Sequence, residues 1–206
     1  ITRPEELHEL AEILLEQPIV AVDTESNSLH AYREQVCLIQ FSTVQADFLV
    51  DPLALADLSA LDKLFASHAV EKVFHAAEYD LLCLSRDFGF RFANLFDTMI
   101  AARTLGYESV GLAAILEHEF QIKIDKRQQR ANWGQRPLPR QLQEYARLDT
   151  HYLIPLRKQL AQALIKRDLL PLAEEDFRRL AQVQHNGIEE EYGSWWRVRG
   201  AYDLEP

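Results

Sequence analysis

Along this chain, stretches with apolar residues three and four apart alternate with short unbroken apolar runs, and the two periods mark helices and strands respectively. Residues 4–17 carry Leu7, Leu10, Ala11, Leu14 and Leu15 at helical spacing behind Pro4, which predicts an amphipathic first helix. Residues 19–25 follow, four apolar positions in succession after Pro18, and read as a strand buried on both faces. Residues 36–41 and 47–50 predict two more strands around a short turn, most simply an antiparallel meander with the first. The pattern then alternates: a helix over 55–65, a strand over 70–74, a helix over 76–88 stopped at Gly89, and a brief strand at 94–96. Asp97 stands as N-cap of a helix over 98–105, which Gly106 ends. A helix over 112–120, an irregular loop over 123–139 and a long helix from Pro139, kinked at Pro155, come next. A further helical stretch after Pro171 leads to a tail at 185–206. A meander followed by alternating strands and helices predicts an α/β fold, a mixed sheet flanked by helices.

The strand at 19–25 ends in two acids, Asp23 and Glu25. Because side chains alternate along a strand, both stand on one face, about 7 Å apart along the backbone. From there two carboxylates can converge on one cation. Burying them unpaired costs several kcal/mol each, so a positive partner is expected; the competing reading is that they end the strand in solvent. Asp149 is a second anomaly, a charge within the apolar stripe of the long helix. Tyr145 lies one turn earlier on the same face, so its hydroxyl and the Asp149 carboxylate can approach one point. A third group is the strand-to-helix passage Phe74-His75-Ala76-Ala77-Glu78-Tyr79-Asp80. Glu78 and Asp80 point about 200° apart on a helix, so one of them can face a site and spacing does not choose. His75 at that junction is either a substrate contact or a hydrogen-bonded part of the scaffold.

A length of 206 residues suits one domain with extra material, and 48% hydrophobic content supplies a core. The formal charge of −10 argues against a general polyanion coat and leaves a local binding surface open. Between Lys123 and Arg140 six basic residues accompany a single acid, Asp125, a local charge of +5, with Trp133 available to stack on a base. Cys37 and Cys83 lie in apolar runs without ligand spacing and read as reduced thiols. With no signal-like or membrane-length apolar segment, a cytoplasmic protein is expected.

Three ordered stretches, Asp23-Thr24-Glu25, His75-Ala76-Ala77-Glu78-Tyr79-Asp80-Leu81 and Tyr145-Ala146-Arg147-Leu148-Asp149, resemble the exonuclease motifs of the DnaQ-like superfamily in its tyrosine-containing (DEDDy) branch. The closer resemblance is to ribonuclease D and its exosome-associated relatives. It is supported by Tyr32-Arg33-Glu34-Gln35-Val36-Cys37-Leu38-Ile39-Gln40, Phe96-Asp97-Thr98, Asp125-Lys126-Arg127-Gln128-Gln129 and Arg136-Pro137-Leu138. The resemblance implies a ribonuclease H-like mixed sheet over residues 1–168, with 169–206 a helical extension or linker. There, Trp195-Trp196-Arg197-Val198-Arg199-Gly200 is similar to the lead into the helicase-and-RNase-D C-terminal domain. It makes Asp23, Glu25, Asp80 and Asp149 the metal-binding acids, choosing Asp80 over Glu78. It gives Tyr145 the orientation of the attacking water and places Lys126 and Gln129 at the terminal nucleotide; Thr24, His75 and Trp133 are further candidate substrate contacts. Ala131-Asn132 stands where the family usually has Ser-Asp, and Ser26 where it commonly has an aromatic.

Hydrolysing a phosphodiester requires charge stabilisation on phosphoryl oxygens, an activated water and help for the leaving alkoxide, which two divalent ions about 3.5–4 Å apart can supply. Hard oxygen ligands suit Mg²⁺ or Mn²⁺, and there is no convergent Cys/His set for zinc. The expectation is a two-metal 3′–5′ exoribonuclease acting on single-stranded RNA 3′ ends and releasing nucleoside 5′-monophosphates, of the type that matures tRNA. A 3′–5′ DNA exonuclease and a non-catalytic nucleic-acid-binding module are the alternatives.

Overall fold

A computed structural model describes residues 1–124 and 126–183, Lys126 by its backbone alone. The expectations for the Lys126 side chain and for the tail after Val183, including Trp195 and Trp196, lie outside the described residues. In chain order the elements are α1 (Pro4–Leu15), β1 (Ile19–Ser26), β2 (Val36–Ser42), β3 (Asp47–Val50), α2 (Asp62–Ala66), β4 (Glu71–Phe74), α3 (Glu78–Phe88), β5 (Leu95–Asp97), α4 (Thr98–Thr104), α5 (Leu112–Phe120), α6 (Arg140–His151), α7 (Leu153–Lys166) and α8 (Leu170–Leu180).

The sheet is mixed, in the order β3-β2-β1-β4-β5. β1 is its centre, antiparallel to β2 and parallel to β4, while β5 runs parallel to β4. The expected meander and the helix-flanked mixed sheet are therefore both present. Two layers cover it, and β1 shows why both form. Val20 and Val22 point into a cluster with α1, α2 and α3 residues, whereas Ala21, on the other face, joins a cluster built from α4, α5, α7 and α8. A smaller third cluster lies under α6, joining Cys37 and Leu38 to Trp133, Leu142, Tyr145 and Ala146.

Local chemistry explains the two places where the periodicity misleads. The helix expected over 55–65 shortens to α2 behind a single turn of 3₁₀ helix at Ser59–Leu61. Asp51 and Asp57 accept hydrogen bonds from the backbone N–H of Leu53 (3.0 Å) and Ser59 (2.8 Å), so side-chain turns replace helical bonding there. The long helix does not bend at Pro155; it breaks at Tyr152 into α6 and α7. Pro155 then falls in the first turn of α7, where a missing N–H leaves no bond unmade. Among the described residues no helix is long and apolar enough to cross a membrane.

Candidate active site

The site grows from the end of β1. Asp23 and Glu25 share the face of Ala21, under α6, and α6 brings Asp149 down to meet them. One carboxylate oxygen from each of Asp23, Glu25 and Asp149 lies within 4.8 Å of the others. α6 is held in place at its C-terminal end, on either side of Asp149, where Asp47 of β3 accepts from Arg147 Nη1 (2.9 Å) and lies 2.8 Å from His151 Nδ1. The Ser42 hydroxyl, 2.6 Å from Asp47 and 2.7 Å from Thr150, closes that staple. None of these four contacts follows from the periodicity of the helix.

Asp80 arrives from the opposite layer. It sits in the first turn of α3, buried, and accepts a hydrogen bond from the hydroxyl of Thr24, the residue between the two β1 acids that points away from them. Thr24, expected at the substrate, is thus the link between the layers. The turn before α3 is set by Ala76 in a left-handed conformation (φ 60°), unusual for a residue with a Cβ. Asp97 secures the turn: its carboxylate accepts from Ala77 N (2.7 Å) as well as capping α4 through Met99 N and Ile100 N.

No described Lys, Arg or His forms an ion pair with any of the four acids, and their acidities record it. Burial, with the charges of Asp80, Asp149 and Glu25 behind it, raises Asp23 well above the ordinary carboxylate range. Burial and the charges of Asp149 and Asp80 push Glu25 up to about 9. Asp80 and Asp149 are lifted to about 7, both mainly by burial, Asp80 against the opposing Thr24 hydrogen bond. Carboxylates crowded this way fit a hard divalent cation, which supplies the missing positive charge to oxygen donors.

Two adjoining clefts open over the cluster. The larger, about 470 Å³, is lined by Asp23, Glu25, Tyr145 and Asp149 together with His75 and Gln129. The smaller, about 190 Å³, runs past Glu25 and Asp80 to Leu29, Gln129 and Trp133. Thr24, Glu25 and Gln129 border both. Tyr145 is buried, with the Gln129 side chain at its hydroxyl; burial and then the charges of Asp149, Glu25 and Asp23 raise it above its ordinary value, so it stays a neutral phenol. His75 is neutral too, pushed down to about 4 chiefly by burial. The Thr98 hydroxyl donates to the Phe74 carbonyl (3.0 Å) and therefore accepts from His75 Nδ1 (2.9 Å), which leaves Nε2 as an acceptor with no partner.

Trp133 is 2% exposed, its ring centroid 6.1 Å from that of Tyr145, and it forms the floor of the smaller cleft. The basic loop is less available than its composition suggests. Arg136 spans Asp51 with two bonds (2.6 and 2.7 Å) and also donates to the carbonyls of Cys37 and Trp133, while Lys123 pairs with Glu117 and Arg140 with Glu144. At least three of the six basic side chains, Lys123, Arg136 and Arg140, therefore face a carboxylate of the protein itself.

With that geometry in view, the comparisons are specific. A family model described as 3′–5′ exonuclease matches residues 1–165. The chain is 39% identical over 166 residues to the exosome complex exonuclease RRP6 of Saccharomyces cerevisiae, covering 80% of this chain and 23% of that protein, so it spans less than a quarter of that relative. Escherichia coli RNase D, described as an exoribonuclease involved in structured RNA processing, superposes with a TM-score of 0.86 at 30% identity, over all of this chain and 55% of that one. Brucella melitensis NrnC with bound Mg²⁺ superposes with a TM-score of 0.74 at 25% identity, over 93% and 90% of the two chains. The match over residues 1–165, the mixed sheet and the acidic cluster at the end of its central strand agree, and the chain belongs to the DnaQ-like 3′–5′ exonuclease family.

Proposed function

We propose that this chain is a metal-dependent 3′–5′ exoribonuclease that hydrolyses the terminal phosphodiester of single-stranded RNA and releases nucleoside 5′-monophosphates, in RNA processing of the kind that trims tRNA 3′ ends. The single observation that carries the reading is the convergence of Asp23, Glu25 and Asp149 within 4.8 Å at the floor of a cleft that Tyr145 also lines. Asp23, Glu25, Asp80 and Asp149 would hold two Mg²⁺ or Mn²⁺ ions, which would supply Lewis acidity to the phosphoryl oxygens and a lowered pKa to an attacking water. Asp80 joins Asp23, Glu25 and Asp149 from α3, and Asp23 feels its charge as well as theirs.

The protein's own groups position the rest. Tyr145, a neutral phenol about one helical turn from Asp149, orients water by hydrogen bonding and is too weak an acid to act as base near pH 7. Gln129, bordering both clefts, and His75 offer polar contacts to the strand end, and Lys126 is proposed to reach its phosphates. Trp133 supports the smaller cleft from beneath. The test is digestion of end-labelled RNA and matched DNA with Mg²⁺ or Mn²⁺. Parent protein shortens RNA from its 3′ end and Asp23→Asn does not; undiminished activity in Asp23→Asn overturns the mechanism, and faster digestion of DNA overturns the substrate.

A further inference from the structure

Buried side-chain polar atoms without a protein partner are few in native folds, and each needs a physical account. Among the described residues they belong to Gln40, His75 and Trp133, and all three lie around the acidic cluster. His75 and Trp133 line the clefts. Gln40 does not: it is fully buried in the middle of β2, and both its amide nitrogen and its carbonyl oxygen lack partners.

Its position is defined from two directions. Across the sheet it is the antiparallel partner of Asp23, so the two side chains share a face with Cβ atoms about 4.5–5.5 Å apart. Above it lies α6. Two residues further along β2, Ser42 meets Thr150 at 2.7 Å; two residues back, Leu38 clusters with Leu142 and Tyr145. Gln40 therefore sits under the turn from Tyr145 to Asp149, in which Ala146 is fully buried. An apolar side chain would fill this place without leaving donors unpaired. Burial of an unpaired amide is unfavourable, and the cross-strand neighbour able to accept from this donor is the Asp23 carboxylate.

We propose that Gln40 is a positioning residue of the metal site: its Nε2 amide donates to the Asp23 carboxylate in the metal-loaded protein, fixing that side chain for coordination. This rests on the metal-dependent reading above and adds to it a residue outside the acidic motifs. Partners of this kind, hydrogen-bonded to a coordinating carboxylate, typically change metal affinity by 10–100-fold when removed.

The test uses the whole chain with Gln40→Met, which keeps length and removes the amide, and Gln40→Leu as a second variant should the first not fold. Mn²⁺ titration by calorimetry is paired with the thermal midpoint in EDTA. The expected result is a Mn²⁺ Kd raised tenfold or more with a metal-free midpoint equal to or above the parent's, because an unpaired buried amide has been removed. A Kd within tenfold of the parent's overturns the proposal, as does a lowered midpoint with affinity retained, which is the signature of plain scaffolding. A parent protein that binds no Mn²⁺ overturns the metal reading itself, a result distinct from failure of the Gln40 assignment alone.

Discussion

The two faces of β1 are built on opposite terms. Val20 and Val22 face a dry layer in which Phe65 lies against Phe90 (centroids 4.7 Å apart), Phe92 (5.5 Å) and Phe41 (6.1 Å), close-packed aromatic contacts. On the other face, alternate positions carry Ala21, Asp23 and Glu25, and the packing ends in carboxylates and unpaired polar atoms. The first face spends its residues on stability, while the second accepts repulsion and incomplete hydrogen bonding that bound protons, a cation or substrate can relieve. A strand held rigid by its apolar side can keep mutually repelling acids in place on its other side.

Mutations can break that contrast, and the largest effect falls on the dry face. Phe65→Ala should destabilise the protein by about 3–5 kcal/mol, the usual cost of emptying a buried aromatic site, and leave the Mn²⁺ affinity of the folded fraction near the parent value. Denaturant unfolding alongside metal titration checks it, and a large loss of affinity in the folded protein would show that the faces are not independent. Next in size, Asp149→Asn should lower RNA hydrolysis by at least about 100-fold, or about 2.7 kcal/mol, while the metal-free midpoint stays level or rises because a repelling charge has gone. Single-turnover assays and thermal scans in EDTA read the two signs. A falling midpoint would mean that Asp149 stabilises the fold.

Tyr145→Phe removes one positioning hydrogen bond and should slow hydrolysis about tenfold, equivalent to about 1.4 kcal/mol, with metal affinity retained. Calorimetry showing lost Mn²⁺ binding in this variant refutes a role confined to orienting water. The remaining prediction concerns pH. Asp80 and Asp149 titrate near 7 in the folded protein and Glu25 near 9, against about 4 unfolded, so the fold retains protons that the unfolded chain has released. That contribution to stability is complete below about pH 4 and is lost as pH rises through 7 towards 9. Between about pH 7 and 7.5 the metal-free midpoint should therefore fall, a window above the titration of His75 and below that of buried Lys72 at about 8. Excess Mg²⁺ should flatten the slope; an equal slope with and without it counts against cation binding by these acids.

Much was legible before any coordinates. Four apolar residues ahead of Asp23 and Glu25 mark a buried strand whose acids share a face, because the period of two leaves no alternative. Asp149 stands out as a charge within an apolar helical stripe, and Asp97 as a cap by its place before a helical run. Those features are local, decided by residues within one or two turns of each other.

What tertiary structure alone decided depends on contacts between distant segments. Periodicity left Glu78 and Asp80 unresolved. In the fold Asp80 is buried at the Thr24 hydroxyl, whereas Glu78 is exposed. The six basic residues of the loop looked alike in the chain, yet Arg136 is committed to Asp51, 85 residues away. Gln40 reads as one polar residue in an apolar strand until register sets it opposite Asp23. Sequence determines which groups each element can present; the pairing of strands and the seating of α6 and α3 determine which of those groups meet, because charge, burial and hydrogen bonding act over a few ångströms of space rather than along the chain.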